Sequence, residues 1–430
     1  MVTRKKRRIA AVPEQPSGSL ALQMPPEKAE PASMGNVLMM VVPMLGSTGV
    51  MIFMAMQNNG GRRSMLMGGG MLVAMLGMVG FNMYRQFSQY RTRVKTQRRE
   101  YLSYLAETRE SIRKVAKKQR AYYNWVYPDP DALVTLAANG SRLWSREGNT
   151  YNVLTFRYGS GTQPLGLTFE RPPIDPMTEM DVVCLSAMER FIAVHDHTDN
   201  VGKFLYLGDF SHIEVVGEGE SAYDEMRAIM MHVACFIEPS KLKIAVLCSA
   251  DRLGDWEWVK WMPQARSANV RDAIGPARMI STDPRELVEM IGPDIAMRGA
   301  YRPGEEMPEW PHLLLVCDGA EFPTSSPFGS MAGVRGVTIM SRAREWTPMK
   351  SHTALRLVIH PSPDRKGSDV VDVVTMDSVP ESAFADRLSA VQAEAVARRM
   401  TPFATQEKLE ESDTPVGRSD ESRQKDLMEL

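Results

Sequence analysis

Charge is missing from two stretches of this 430-residue chain, although 24% of its residues are charged. Residues 34–56 (MGNVLMMVVPMLGSTGVMIFMAM) and 65–84 (MLMGGGMLVAMLGMVGFNMY) carry none. A helix crosses the hydrocarbon of a bilayer with about 20 apolar residues. Both stretches reach that length, so the sequence predicts two transmembrane helices joined by the short loop 57–64. Cysteine is scarce as well. Cys184, Cys235, Cys248 and Cys317 show no CxxC spacing, which points to free buried thiols in a reducing compartment rather than to a disulfide framework. Glycine and proline are absent from residues 85–126, so nothing there interrupts a long helix.

The flanks of the two stretches set an orientation. Arg4, Lys5, Lys6, Arg7, Arg8 and Lys28 precede the first, and Arg85, Arg91, Arg93, Lys95, Arg98 and Arg99 follow the second. The loop between holds only Arg62 and Arg63. That bias predicts a multi-pass protein of the plasma (inner) membrane with both termini cytoplasmic. A cleaved signal peptide is excluded because the apolar run starts late, is too long and is followed by a second run. Methionine, with 32 residues, concentrates in these stretches as adaptable apolar packing. Gly68, Gly69, Gly70, Ala74, Gly77 and Gly80 give the second stretch small faces that let another helix approach closely.

The remaining sequence divides by composition. Residues 1–33, rich in proline and poor in large apolar residues, predict a flexible cytoplasmic tail. Residues 85–127 predict a stalk helix. Phe87, Tyr90, Val94, Tyr101, Leu105, Ile112, Val115 and Tyr122 recur along it at helical spacing, and its basic face suits anionic lipid heads near a membrane. Pro128 and Pro130 end it. Residues 128–400 alternate strand and helix and predict an α/β domain with a mostly parallel sheet and flanking helices. The strands expected are 152–158, 204–207, 212–216, 243–248, 312–317, 336–340, 355–360 and 370–375. The helices expected are 180–194, 222–236, 284–297 and 381–399. Residues 401–430 turn polar and read as a linker.

Three motifs bear on chemistry. The expected strand 212–216 leads through Gly217, Glu218, Gly219 and Glu220 to Ser221 and a helix, the outline of a phosphate loop. A working loop reads GxxxxGK(S/T), with backbone N–H groups cradling phosphate and Lys supplying the cation. Here the Lys is missing and two carboxylates take its place. Asp318 ends an apolar strand as a Walker B carboxylate does. Gly217, Gly219, Ser221 and Asp318 are therefore candidate nucleotide contacts in a loop that lacks Walker A, and no catalytic residue is assigned. Second, His195, His197 and Asp199 approach HxHxDH, a hydrolase metal motif, but Asn200 stands where the last His is needed. A polar helix end accounts for them, and no metal site is assigned. Third, Trp256, Trp258 and Trp261 interleave with Lys260. Base stacking is one use of such a cluster; packing a helix onto a sheet is the commoner one.

Taken in order, the membrane hairpin, the basic stalk, the Pro128–Asp129–Pro130 corner, the run NVLTFRYGSG (152–161), WEWVKWMPQ (256–264), GPARM (275–279) and HLLLVCDG (312–319) resemble the N-terminal portion of the EccC family. These are the FtsK/SpoIIIE-type ATPases of type VII (ESX) secretion. The resemblance covers essentially the whole chain. It implies a membrane-anchoring and stalk portion that couples ATPase modules further along to a membrane channel, with ATP and Mg bound in those modules. It also implies hexameric assembly with components of the EccB, EccD and EccE types, and WXG100-type heterodimers as substrates of the modules. No nucleic-acid partner is expected. Two other readings remain from the residues: the anchor of an FtsK-like DNA translocase, from the basic stalk, and a membrane metallohydrolase, from the histidines alone.

Overall fold

The computed structural model describes residues 12–30, 62–146, 151–304, 309–343, 348–349 and 351–412, together with isolated positions between 39 and 57. In chain order its elements are β1 (Gly18–Ala21), α1 (Arg62–Val126), α2 (Pro130–Asn139), β2 (Thr155–Pro164), β3 (Leu167–Glu170), α3 (Val182–His195), β4 (His197–Tyr206), β5 (His212–Val216), α4 (Ser221–Phe236) and β6 (Leu242–Cys248). They continue with β7 (Arg266–Asp272), β8 (Gly275–Arg278), β9 (Ile280–Ser281), α5 (Pro284–Ile291), β10 (His312–Asp318), β11 (Val337–Ala343), β12 (Ala354–Pro361), β13 (Asp369–Val374), β14 (Glu381–Ala385) and α6 (Ala390–Ser412). Two compact units result: residues 1–14, 120–163 and 199–430 form one, residues 15–119 and 164–198 the other.

The first unit is built on a ten-stranded mixed sheet of order β4-β2-β14-β13-β12-β5-β11-β10-β6-β9. From β12 to β9 every pairing is parallel, while β13 and β14 pair antiparallel and carry the sheet on to β2. β6 and β10 are apolar on both faces because helices cover both. Leu313, Leu314, Leu315 and Val316 are fully buried, each worth roughly 1.5–3 kcal/mol of transfer free energy. Helix α4 is enclosed on nearly all sides, and its buried residues include Glu225, Arg227 and His232. Residues from α2, α4, α6 and the 256–265 segment share one core. Asp129 caps α2 by accepting the Asp131 N–H at 3.2 Å, with Pro130 at the first helical position.

The second unit packs α1 against α3 and the parallel pair β1–β3. Tyr101, Leu105 and Ile112 of α1 are buried with Leu22, Leu165, Cys184, Met188 and Phe191. Asp181 caps α3 by accepting two backbone N–H groups at 3.1 Å and pairs with Arg98 at 2.8 Å. Buried Gln119 donates to the Pro164 carbonyl at 2.7 Å and accepts the Gly166 N–H at 3.0 Å.

Several sequence expectations change here. Among the described residues no helix is long and apolar enough to cross a membrane. That overturns the multi-pass, plasma-membrane placement and leaves the hairpin unsupported. The second stretch lies within α1, which runs on without a break into a basic segment. The first stretch, apart from isolated positions, lies outside the described residues, as do residues 58–61 of the expected loop and residues 413–430. Part of the expected tail is ordered: β1 pairs with β3, and Leu22 is buried. Residues 164–198, expected in the α/β domain, belong to the second unit. The expected helix 381–399 is instead strand β14 followed by α6, because Val370–Val373 supply Glu381–Phe384 with backbone partners. The expected helix 284–297 breaks at Gly292, whose φ of 91° no helix accommodates.

Below the sheet edge a buried charge network joins β2, β14, α4 and the α1–α2 corner. Arg157 pairs with Asp386 at 2.9 Å and Asp129 at 3.3 Å, and donates to the Ser160 hydroxyl at 2.6 Å. Burial, opposed by Arg157, raises Asp386 to about 6. Burial, reinforced by Asp386, pushes Glu225 well above the usual carboxylate range, and among the described residues neither of its oxygens has a hydrogen-bond partner. A raised carboxyl makes the folded state bind protons that the unfolded chain has released. The Glu225 contribution to stability is therefore lost as pH rises above its unfolded value. Glu225→Gln imitates the protonated form. It is expected to raise the melting temperature at pH 8 and to gain progressively less toward pH 4.5, with each kcal/mol appearing as roughly 2–4 °C. Thermal melts across that range check this; a gain that does not vary with pH contradicts it.

Candidate functional site

The loop Gly217–Glu220 leaves the carboxyl end of β5 and enters α4, and Asp318 lies at the carboxyl end of β10 with β11 between the two strands. In parallel α/β sheets ligands bind beyond these strand ends, where the chain switches direction across the sheet. Here β5 connects through α4 to β6 on one side and lies beside β12 on the other. The residues picked from sequence are thus brought to one end of one sheet.

Asp318 is 1% exposed and already has three donors. Its Oδ1 accepts the Tyr223 hydroxyl at 3.2 Å, and its Oδ2 accepts Trp256 Nε1 at 2.9 Å and Arg252 Nε at 3.2 Å. Tyr223 lies in the first turn of α4, directly beyond the glycine loop. Its ring has the Arg252 guanidinium 4.4 Å and the Arg342 guanidinium 4.5 Å from its centroid. Burial, then the Asp318 charge, raises the Tyr223 hydroxyl, so it remains a donor. Burial works most strongly against the Arg252 charge, but the hydrogen bond to Asp318 together with the nearby Tyr223, Asp318 and Asp255 groups raises its pKa. The Cys248 thiol beside them is pushed up to about 11, by burial first and the Asp318 charge second.

The loop itself is compact. A Cβ at Gly217 meets the Ile359 Cβ at 3.1 Å, and Gly219 adopts φ +58° with open space around it. Ser221 is the first residue of α4. Glu220 and Asp224 lie at the helix N-terminus; the Glu220 side chain caps no backbone N–H, and both carboxylates pair with Arg227, at 3.1 and 2.8 Å. These carboxylates complement the positive end of the helix dipole, as a bound phosphate does elsewhere. The donor set does not fit Mg–ATP: the loop has no lysine, two carboxylates lie beside the helix N-terminus and would repel phosphate, and Asp318 is engaged by the protein's own side chains.

The other motifs fall elsewhere. His195 ends α3, and His197 opens β4 with its Nδ1 2.6 Å from Asp196. Among the described residues no three His, Cys, Asp or Glu side chains are grouped to hold a metal. Trp256 and Trp258 are buried in the core, and Trp261 lies under the Arg398 guanidinium at 4.4 Å. Packing, the commoner use, is theirs; the link from Trp256 to Asp318 had no signal in the sequence. Tyr223, Arg252 and Arg342 likewise belong to no motif. Residue spacing alone does not show that the two guanidinium groups meet one ring.

No family model matches the chain. Curated relatives do. It is 30% identical over 413 residues to the ESX secretion system protein EccC of Thermomonospora curvata, covering 94% of this chain and 30% of that protein. The chain aligns with the EccC family along nearly its whole length. It is 28% identical over 407 residues to the ESX-5 protein EccC5 of Mycobacterium marinum, 91% of this chain and 29% of that one. Over 249 residues it is 33% identical to the ESX-3 protein EccC3 of Mycobacterium tuberculosis, 57% of this chain and 18% of that one. The chain thus spans less than a third of the length of these EccC relatives. A solved cytoplasmic domain of the Thermomonospora curvata type VII secretion ATPase EccC aligns at a TM-score of 0.30 and 14% identity, over 60% of this chain and 32% of that one. That likeness is too slight to bear on the fold.

If Asp318 is a structural acceptor, Asp318→Ala leaves the Tyr223 hydroxyl and Trp256 Nε1 without this acceptor and Arg252 with Asp255 at 2.9 Å. Removing one partner of a fully buried ion pair costs about 3–5 kcal/mol. Because Arg252 keeps 24% of its side chain exposed, roughly 2–3 kcal/mol is expected here, and Tyr223→Phe loses about 0.5–1.5 kcal/mol. Urea denaturation measures both; an Asp318→Ala midpoint equal to wild type contradicts the assignment.

Proposed function

We propose that this chain is the coupling, non-hydrolysing portion of an EccC-type ATPase of a type VII (ESX) secretion system. The observation that carries the reading is the alignment with EccC proteins over 94% of the chain, joined to a phosphate-loop position whose donors do not fit Mg–ATP. In this reading ATP and Mg are bound by other modules of the full-length protein. Gly217, Gly219, Ser221 and Asp318 occupy the positions of nucleotide contacts but serve the fold. Helix α1 is the stalk: its residues Tyr101, Leu105 and Ile112 are buried, while Phe81, Tyr84 and Phe87 are exposed and available to other ESX components, of the EccB, EccD or EccE types. Secreted WXG100-type heterodimers meet the other modules, and the assembly is hexameric.

Thr108, whose hydroxyl donates to the Tyr104 carbonyl at 2.9 Å, lies midway along the packed part of α1. A proline there disrupts the helix at a cost of roughly 3 kcal/mol or more. Introduced into the secreting strain, Thr108→Pro is expected to stop secretion and to weaken co-purification of the other ESX components. The purified variant should retain the melting transition of the sheet-bearing unit. Full assembly and wild-type secretion by the variant contradict a coupling role for α1.

A further inference from the structure

Helix ends leave carbonyls without intrahelical partners, and two such ends meet the same six residues here. The last turn of α4 offers the carbonyls of Ala234, Cys235 and Phe236. The Trp144 N–H donates to Cys235 at 2.8 Å, its indole Nε1–H to Ala234 at 3.2 Å, and the Arg146 N–H to Phe236 at 3.1 Å. The last residues of α1 are held from the same segment by side chains. Arg142 Nη2 donates to the Trp125 carbonyl, with its guanidinium 3.9 Å from that ring's centroid. Arg146 donates to the Val126 carbonyl at 3.2 Å and also to Thr155. Just past the helix, Arg157 donates to the Tyr127 carbonyl at 3.0 Å.

Among the described residues neither Arg142 nor Arg146 has a carboxylate partner. The charge is balanced by helix carbonyls, where the dipole favours a cation, and by aromatic faces. Arg146 lies 5.4 Å from the Tyr127 ring and 5.0 Å from the Phe236 ring, and Arg142 lies 5.5 Å from Phe236. Burial lowers Arg146 to about 10, still protonated at neutral pH. Trp144 holds φ 55°, a left-handed conformation that is costly for a bulky residue. Arg146 joins the two sets of contacts, its backbone N–H donating to Phe236 of α4 and its guanidinium to Val126 of α1.

We infer that residues 141–146 form a clasp that locks the end of α1 to the end of α4 as one cooperative joint. Helix α4 starts at the Gly217–Glu220 loop and runs about 24 Å, at 1.5 Å per residue, to this clasp. The inference concerns the chain alone and does not depend on the secretion reading. Hydrogen exchange of the whole chain and of Arg142→Ala tests it. The expected result is at least tenfold faster exchange of amides 123–127 together with those of Trp144 and Arg146, while amides 313–317 of β10 remain unchanged. Loosening of 123–127 alone, or no change, overturns the joint. Should Arg142→Ala fail to fold, Arg142→Lys, which keeps the charge and loses the planar fork, is expected to show the same paired loosening to a smaller degree. Its absence is equally decisive.

Discussion

Asp318 accepts hydrogen bonds from three separate parts of the chain: the first turn of α4, the short segment after β6, and the tryptophan run that follows it. A buried carboxylate needs such partners, since an unpaired one costs several kcal/mol. This requirement fixes the carboxyl end of the parallel strands. Tyr223 cannot leave Asp318 without moving α4, and Trp256 cannot leave it without opening the core that it shares with α6. The sheet keeps the layout of a nucleotide-binding α/β fold, but its end is closed by an aromatic–arginine cluster. Tyr223, Trp256 and Arg252 meet the carboxylate where an exogenous cation would have to compete.

The helix ends follow the same electrostatic rule with opposite signs. Carboxylates of Glu220 and Asp224 complement the positive end of α4, and guanidinium groups of Arg142 and Arg146 complement the negative end of α1. These charges are satisfied within the fold.

The parallel half of the sheet was legible because its strands announce themselves. The expected strand 212–216 matches β5 in full, and the apolar runs 243–248 and 312–317 each differ from the observed strand by one residue. Helix α4 was expected one residue short. What stayed hidden depends on partners distant in sequence. Glu381–Ala385 has a helical composition, but β13 and β2 pair with it on both sides. Residues 18–21 look like tail until Leu167–Glu170 meets them. At the candidate site the glycine loop and Asp318 could be read from their motif outlines. Tyr223, Arg252 and Arg342 could not, because nothing in one sequence reports that two guanidinium groups meet one ring. The arginine clasp is harder still, since its acceptors are backbone carbonyls that any residue carries. The membrane placement is overturned on the described residues, among which no helix is long and apolar enough to cross a bilayer; the second stretch runs on without a break into the basic residues of α1.

Calorimetric titration of Mg–ATP into the folded chain tests most directly whether its own side chains have closed the phosphate-loop end of the sheet. The account predicts no saturable binding into the millimolar range, in the wild-type chain and in Asp318→Ala alike. Micromolar binding by the wild-type chain that disappears in a folded Asp318→Ala variant would contradict it and make Asp318 a nucleotide ligand.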